Sequence, residues 1–323
     1  MKIFQHTNAK SVADAMKVMS EYGEKAMVIA GGTDLLGLLK SRAAPIYPEI
    51  LVNLKTIPGL NTIQIEDPGL IIGATAKLAY IANFPLINEE YPILAAAAHS
   101  VAMPQIRNMG TIGGNLAQET RCWYYRYQYE IGGRIMCARK GEGACLAVKG
   151  DNRYHALFGA RKCFAVCPSD MAVALEALDA KVRIIGPGGE RLVAAADFYH
   201  PMGNALEPGE IITHIKVPRP AAGNRQVFIK HRVRDSIDFA VVSVGLVNNF
   251  KEGICIRSRI VLGAVAAGPY RAIDAEKALT GGEINNEIAE TIAARALAGA
   301  VPLSRNGYKI EVAKTLVKRA LLS

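Results

Sequence analysis

Six cysteines are the residues of this 323-residue sequence whose type and spacing most directly predict chemistry. Five of them lie between Cys122 and Cys167, and the sixth, Cys255, stands far away in an apolar stretch that is typical of a core strand. Nothing in the sequence indicates an oxidising compartment, so clustered thiols favour a metal or redox site over a disulfide framework. The first four of the group, separated by 14, 7 and 17 residues, are Cys122, Cys137, Cys145 and Cys163.

This spacing matches neither of two common metal-binding patterns. No C-x-x-C pair is present, which disfavours a zinc ribbon, and the C-x-x-C-x-x-C spacing of ferredoxins is absent as well. An iron–sulfur cluster needs four soft ligands that converge from a folded loop, and a loop that wraps the cluster allows wide spacing. From the spacing alone, unrelated thiols and an iron–sulfur cluster both stay open.

Two glycine turns predict a second kind of site, one that binds phosphate. In VIAGGTDLLG a strand ends at Ala30 and a helix opens near Thr33, where free amide groups and the helix dipole favour an anion. Asp34 would repel a phosphate there unless its side chain points aside. In GTIGGN, Gly113 and Gly114 again permit close approach of a ligand to the backbone. Taken alone, each turn is equally an ordinary connection between elements.

Together the two turns, about 80 residues apart, indicate a cofactor whose extended pyrophosphate is held from two sides. Neither turn fits the G-x-G-x-x-G fingerprint and no P-loop lysine follows. These absences argue against a Rossmann domain and against a nucleoside triphosphatase.

The elements that must position these residues alternate between strands and helices. Short apolar strands and capped helices up to the cysteines give a pattern of βα units, and a helix and a hairpin follow the cysteines. Two prolines and a run of small residues interrupt the pattern at residues 215–226, and three strands and two helices lie beyond. We therefore predict an α+β protein with a first domain at 1–216 and a smaller one at 217–323.

Composition excludes several classes of protein. Half of the residues are apolar and 21% are charged, as in globular proteins. No apolar run reaches the roughly 18 residues that span a membrane, and the first residues do not form a signal peptide, so we expect no membrane insertion and a cytoplasmic location. The net charge of +9 is spread along the chain without a nucleic-acid-binding module, which favours an anionic cofactor or a protein partner over nucleic acid.

Four sequence blocks carry a resemblance to a known family. VIAGGTDLL, IRNMGTIGGNL, PSDMAVALEALDA and FIKHRVRDSIDFAVVSVGL resemble the flavin-binding subunit, or medium chain, of the xanthine oxidase family of molybdenum hydroxylases. The resemblance covers nearly the whole chain. It implies an FAD-binding domain of the PCMH, or vanillyl-alcohol-oxidase-like, fold, followed by a smaller domain like the C-terminal domain of the carbon monoxide dehydrogenase flavoprotein.

The resemblance also implies which residues bind FAD. The first turn and Thr111 through Asn115 would hold the pyrophosphate, Asp170 would bond the adenosine half, and Ile212 and Lys230 would approach the flavin half. Asp170 could equally cap the helix that follows it. The implied FAD-binding residues are Val28, Ile29, Ala30, Gly31, Gly32, Thr33, Asp34, Leu35, Val101, Thr111, Ile112, Gly113, Gly114, Asn115, Asp170, Ile212 and Lys230.

A subset of the family carries a [4Fe–4S] cluster in an insertion, here about residues 120–166. TRCWYYRYQYE resembles the insertion of the beta subunit of 4-hydroxybenzoyl-CoA reductase, and NRYHALFGARKCFAVCPSDMAVA resembles that of bacterial aldehyde oxidoreductase flavin subunits. The resemblance makes Cys122, Cys137, Cys145 and Cys163 the four cluster ligands. Cys167 is then a small buried side chain.

The implied function is electron transfer within a larger enzyme. FAD and a [4Fe–4S] cluster would exchange electrons with a small [2Fe–2S] ferredoxin-like subunit and a large molybdopterin subunit, and with an external donor or acceptor. No acid–base catalyst is predicted in this chain. A stand-alone FAD-dependent oxidase and a zinc-stabilised binding protein are the alternatives.

Overall fold

A small parallel sheet begins the chain in the computed structural model, which describes residues 1–44, 46–127 and 135–323. Its three strands are ordered β1-β3-β2. The first helix begins after Ser11, whose hydroxyl accepts a hydrogen bond from the amide of Asp14, and ends at Gly23 with φ of 53°. The elements are β1 (Gln5–Asn8), α1 (Val12–Tyr22), β2 (Ala26–Ile29), α2 (Leu35–Lys40) and β3 (Ile50–Asn53).

A five-stranded antiparallel sheet forms the second layer, with the order β4-β5-β10-β6-β7. Helices pack on it and bury an apolar core that is rich in alanine, leucine and isoleucine. The strands are β4 (Ile63–Glu66), β5 (Gly69–Gly73), β6 (Lys181–Gly186), β7 (Gly189–Ala194), the two-residue pair β8 (Tyr199–His200) and β9 (Gly203–Asn204), and β10 (Ile211–Pro218). The helices are α3 (Leu78–Asn83), α4 (Pro85–Glu90), α5 (Pro92–Ser100), α6 (Pro104–Arg107), α7 (Ile112–Ala117), α8 (Trp123–Arg126) and α9 (Asp170–Ala177).

The third layer is an antiparallel sheet covered by three helices. Its strand order is β11-β12-β13-β14. Helix α9 lies against it, because Gly245 and Gly263 have no side chains to hold Val173 away. The elements are β11 (Asn224–His231), β12 (Val242–Lys251), β13 (Ile254–Gly263), β14 (Tyr270–Arg271), α10 (Ile273–Leu279), α11 (Asn286–Ala296) and α12 (Tyr308–Leu322).

These layers confirm the predicted α+β class. Two local expectations differ, and the domain boundary stays a prediction. The segment NFPLINEEYPILAAAAHSV, which the sequence predicts to be helical after its first proline, forms two helices, separated at Tyr91 and restarted by Pro92. The second glycine turn is the first turn of α7 rather than a connection between strands. The predicted boundary at residue 216 falls inside β10, which continues to Pro218.

The predicted insertion at 120–166 has little regular structure where it is described. It contains α8 and two single 3₁₀ turns, at Ala138–Lys140 and Leu146–Val148. Residues 128–134 of the predicted insertion lie outside the described residues. Among the helices that the structure describes, none has the length and apolar character that crossing a bilayer requires.

Candidate functional site

The two glycine turns line one cavity of about 510 Å³, which we call the glycine cavity. The end of β2 and the start of α2 form one wall, and the start of α7 forms the other. Most of the predicted FAD-binding residues therefore meet at one site. The predicted residues on its wall are Val28, Ile29, Ala30, Gly31, Gly32, Thr33, Asp34, Leu35, Thr111, Gly113, Gly114 and Ile212.

The glycines of these turns have different tasks. A Cβ on Gly31 would lie 2.2 Å from the carbonyl oxygen of Met109, so this glycine lets the two turns touch each other. Gly32 has φ of 69°, a conformation that favours glycine. A Cβ on Gly114 would meet only the Thr111 hydroxyl, at 3.0 Å. Gly114 is thus the glycine whose missing side chain leaves room for a ligand, and the cavity fits the predicted dinucleotide.

A narrow cavity of about 60 Å³ continues from the same turns. Its wall shares Thr33, Asp34, Thr111 and Gly114 with the glycine cavity and adds four more predicted residues. The added residues are Val101, Asn115, Asp170 and Lys230. Ile112 does not join them, because its side chain is fully buried in the apolar core.

Asp170 and Lys230 form a buried ion pair in this narrow cavity. The Lys230 Nζ lies 2.6 Å from a carboxylate oxygen of Asp170, and both side chains are less than a tenth exposed. The Ser100 hydroxyl donates a hydrogen bond to the Asp170 carboxylate, and the Ser100 carbonyl oxygen accepts one from Lys230. Burial raises the pKa of Asp170, and the charge of Lys230 opposes that rise. Asp170 and Lys230, predicted to approach different halves of FAD, are thus in direct contact with each other.

The helix cap beside this pair is Ser169, not Asp170. The Ser169 hydroxyl accepts a hydrogen bond from the amide of Ala172 and lies 2.6 Å from the side-chain oxygen of Asn115. Asn115 of the second glycine turn is thereby linked to the start of α9, and the Asp170 carboxylate stays available to Lys230.

The difficulty posed by Asp34 is resolved by two arginines of the insertion. Its carboxylate lies 2.9 Å from a guanidinium nitrogen of Arg121 and 2.7 Å from one of Arg126. Its other oxygen accepts the amide of Glu119 at 2.9 Å. Asp34 therefore points toward the insertion and fastens it to the first glycine turn.

The four predicted cluster ligands line a single small cavity, which we call the cysteine cavity. Cys122, Cys137, Cys145 and Cys163 all stand on its wall, together with Arg139. All six cysteines are free thiols. Among the described residues, no three His, Cys, Asp or Glu side chains are grouped closely enough to hold a metal ion.

The remaining two cysteines lie elsewhere. Cys167 is buried between the start of α9 and the C-terminal sheet, and its amide donates to the carbonyl of Ala266. Cys255 is fully buried in β13 within the C-terminal core. Both positions agree with their interpretation as structural residues.

The thiols have partners that suit bound sulfur. The amides of Tyr124 and Tyr125 donate to the sulfur of Cys122, while burial raises the pKa of this thiol to about 11. The amide of Ala165 points at the sulfur of Cys163 at 3.5 Å. A ligated metal would need these thiols deprotonated, and such amide donors favour the thiolate.

His155 is a buried neighbour of Cys122, with its Nε2 at 3.3 Å from the sulfur. Burial lowers the pKa of this imidazole to about 4, so it is neutral at pH 7. Its carbonyl oxygen accepts hydrogen bonds from Asn306 and Lys309. His155 is thus a hydrogen-bonded loop residue, and it connects the cysteine cavity to the C-terminal domain.

A further cavity of about 440 Å³ lies between the two predicted cofactor sites; we call it the aromatic cavity. Trp123, Tyr154 and Phe239 contribute rings to its wall. Arg121 and Asp170 line both the aromatic cavity and the narrow cavity, and Cys122 lines both the aromatic cavity and the cysteine cavity. Neighbouring cavities in the series from the glycine turns to the cysteines therefore share wall residues.

Sequence reasoning missed Arg121, Arg126 and Phe239. The signal for the arginines was Asp34 itself, an acidic residue at a predicted phosphate site that required a positive partner. Arg121 directly precedes the first cysteine of the insertion. Nothing in the sequence around Arg121 predicts its contact with Asp34 of the first glycine turn.

Two family descriptions cover almost the whole chain. "FAD binding domain in molybdopterin dehydrogenase" matches residues 2–220, and "CO dehydrogenase flavoprotein C-terminal domain" matches residues 228–323. The glycine cavity lies in the first domain and the covering helices α10 to α12 lie in the second. The chain therefore belongs to the FAD-binding subunits of the molybdenum hydroxylase family, and it is an oxidoreductase subunit. The predicted family and fold are confirmed.

Several known proteins are similar over their full length. The aldehyde oxidoreductase FAD-binding subunit PaoB of Escherichia coli is 35% identical, over 99% of this chain and 98% of that protein. The carbon monoxide dehydrogenase medium chain of Afipia carboxidovorans is 29% identical, over 98% and 95%. A solved carbon monoxide dehydrogenase from Hydrogenophaga pseudoflava superposes with a TM-score of 0.80 at 28% identity, over 99% of this chain and 96% of that one.

Proposed function

We propose that this chain carries both FAD and a [4Fe–4S] cluster as the electron-transfer subunit of a multi-subunit molybdopterin-dependent oxidoreductase. It passes electrons between a small [2Fe–2S] ferredoxin-like subunit, a large molybdopterin subunit and an external donor or acceptor. A heterotrimer in the cytoplasm, where its cysteines stay reduced, is the assembly that we propose.

The observation that supports this proposal most is the series of cavities between the glycine turns and the four cysteines. FAD, when bound, can accept or donate electrons either two at a time or one at a time. The backbone of the two turns binds its pyrophosphate, with Thr33 and Thr111 adding hydroxyls on the same wall. Asp170 and Lys230, already paired, present one acceptor and one donor to the narrow cavity.

The cysteine cavity supports the cluster by its donor set. A [4Fe–4S] cluster supplies one-electron transfer when four thiolates hold it. Cys122, Cys137, Cys145 and Cys163 are four soft ligands on one wall, whereas Cys167 and Cys255 lie outside it. Arg139 on the same wall offsets negative charge while it pairs with Glu119 at 2.8 Å. Glu119 in turn lines the glycine cavity, so this ion pair spans the two predicted cofactor sites.

The partners are proposed from the relatives. Their names describe medium chains and FAD-binding subunits, as in the carbon monoxide dehydrogenases and the aldehyde oxidoreductase above. The four cysteines of the insertion are the cluster ligands that we assign to this chain, so we place the [2Fe–2S] centres and the molybdenum centre on partner chains.

Cofactor analysis of the anaerobically purified chain tests the proposal. We expect one FAD with about four irons and four acid-labile sulfides per chain. One zinc without flavin would instead indicate a zinc-stabilised binding protein and overturn the proposal. Flavin in a chain that alone oxidises a small alcohol would indicate a stand-alone oxidase. Flavin reduction by substrate only after the partner subunits are added supports the electron-transfer role.

A further inference from the structure

The charges around Asp34 do not cancel. One carboxylate faces two guanidinium groups, those of Arg121 and Arg126, and leaves one positive charge in excess at the first glycine turn. The pyrophosphate of a dinucleotide carries two negative charges. An excess positive charge beside the turn is therefore favourable for such a ligand, and it comes from the insertion rather than from the turn.

Arg126 donates hydrogen bonds to three protein groups. Its Nε donates to the carbonyl of Thr120 at 2.9 Å, and its terminal nitrogen donates to Asp34 and to the carbonyl of Glu119. It is absent from the walls of the glycine and narrow cavities as the described residues define them. Arg126 serves to hold Asp34.

Arg121 is only partly engaged. One terminal nitrogen contacts Asp34 and Gln118, and the guanidinium lies over the ring of Phe239 with its carbon 4.6 Å from the ring centre. Its Nε is buried and has no hydrogen-bond partner among the described residues. A buried N–H group without an acceptor is unfavourable, so an acceptor atom from a ligand would stabilise it.

The position of Arg121 identifies that ligand. Its side chain lines the narrow cavity together with Thr33, Thr111 and Gly114, the residues that also form the phosphate wall of the glycine cavity. A guanidinium group binds phosphate oxygens through several parallel donors. The Phe239 ring fixes its plane and so reduces the cost of ordering it.

We infer that Arg121 binds the pyrophosphate of the dinucleotide cofactor, and that the cysteine insertion thereby completes the FAD site. This inference rests on the proposed function only for the binding of FAD. Arg126 and the carboxylate of Asp34 position Arg121.

The test measures the Kd of the flavin-depleted full-length chain for FAD by flavin fluorescence. Arg121→Ala and Arg126→Ala are each made in the wild-type and Asp34→Asn backgrounds. We expect Arg121→Ala to weaken FAD at least about tenfold in both backgrounds. Arg126→Ala with Asp34→Asn should change the Kd less than about twofold relative to Asp34→Asn alone. Restoration of affinity in Arg121→Ala by Asp34→Asn would show that Arg121 only neutralises Asp34, and would overturn the inference.

ADP, used as a competitor, locates the contact on the cofactor. It carries the diphosphate without the flavin, so Arg121→Ala should weaken ADP and FAD by the same factor. Unchanged ADP binding would place the contact on the flavin half and overturn the inference. Arg121→Gln, which keeps much of the size and removes the charge, should weaken FAD similarly, and an unchanged melting temperature shows that it folds. Failure of the wild-type chain to bind FAD would contradict the proposed function itself.

Discussion

The glycine cavity and the cysteine cavity are built in opposite ways. The glycine turns lie at the ends of regular elements, the close of β2 and the first turns of α2 and α7, where backbone hydrogen bonds fix them. The described part of the insertion contains one four-residue helix and two 3₁₀ turns. Its shape depends on side-chain contacts with distant parts of the chain.

This difference indicates which cofactor depends on which contacts. The phosphate wall needs small residues and free amide groups, which local sequence supplies. The cysteine cavity needs four thiols brought together by anchors outside the insertion, among them Asn306 and Lys309 of the C-terminal domain. We therefore expect a substitution confined to the glycines or to the cysteines to disable one site and spare the other, whereas Arg121 of the insertion serves the FAD site.

Removal of one predicted ligand gives the largest expected effect. Cys145→Ser replaces a soft thiolate by a hard hydroxyl, so we expect loss of most iron and of the cluster absorbance. FAD should remain bound, because Cys145 is absent from the described wall of the glycine cavity. Iron and flavin analysis measures both. Cys255→Ala is the matched control and should keep its iron; unchanged iron in Cys145→Ser would contradict the ligand assignment.

Filling the phosphate wall should have the converse effect. Gly114→Leu places a side chain where an added Cβ meets only Thr111, and we expect FAD affinity to fall at least about tenfold while iron is kept. Equilibrium dialysis against FAD measures the change. Gly188→Leu, at a hairpin glycine where an added Cβ meets nothing within 4 Å, should leave it intact. Loss of iron together with FAD would mean that the sites are not separable.

An intermediate effect is expected from the anchor of the insertion. The Lys309 ammonium is fully buried and donates to the carbonyls of His155 and Ala264 at 3.0 Å or less, with the Tyr154 carbonyl further away. In Lys309→Met the Ala264 carbonyl loses its Lys309 donor, while the His155 carbonyl keeps its hydrogen bond from Asn306. We expect this loss to lower the free energy of unfolding by about 2 kcal/mol or more.

Urea unfolding measures this loss, and the cluster should become more labile while FAD stays. Lys318→Met, on the outer face of the same helix, removes only a partly exposed ion pair to Glu290 and should cost less than about 0.5 kcal/mol. If both variants lost the same free energy of unfolding, Lys309 would not be an anchor of the insertion.

The smallest expected effect is a dependence on pH. Burial lowers the pKa of Lys309 to about 7 from its ordinary 10.5. Between these values the folded state holds fewer protons than the unfolded state, so the contribution of this group to stability rises with pH. The melting temperature of the wild type minus that of Lys309→Met should therefore be larger at pH 9 than at pH 7. A difference independent of pH would show that the three carbonyls keep Lys309 charged throughout.

Local sequence predicted much of the fold for identifiable reasons. The cap at Ser11 and the stop at Gly23 mark α1, and the Pro-Gly-Gly turn marks the β6–β7 hairpin. Apolar spacing marked α9, α11 and α12. Helix α10 was not predicted because seven residues give too short a periodic signal. Helix α7 was not predicted because two glycines in six residues disfavour a helix.

Side-chain pairing could not be predicted in the same way. Asp170 and Lys230 are 60 residues apart, and Asp34 and Arg126 are 92 apart. No periodicity or capping rule connects such positions, since their distance depends on how the layers pack. The contact between Asp170 and Lys230 was not predicted from the sequence for this reason.

The anchoring of the insertion also sets an order of events during synthesis. Phe158 stacks on Tyr270 with ring centres 3.8 Å apart, and the amide of Val301 donates to the carbonyl of Leu157. The cysteines thus leave the ribosome well before the residues that hold them in place. Contacts so distant in sequence form late in folding. We expect iron to enter a finished chain, so that a truncated or stalled product exposes four thiols and acquires no redox centre.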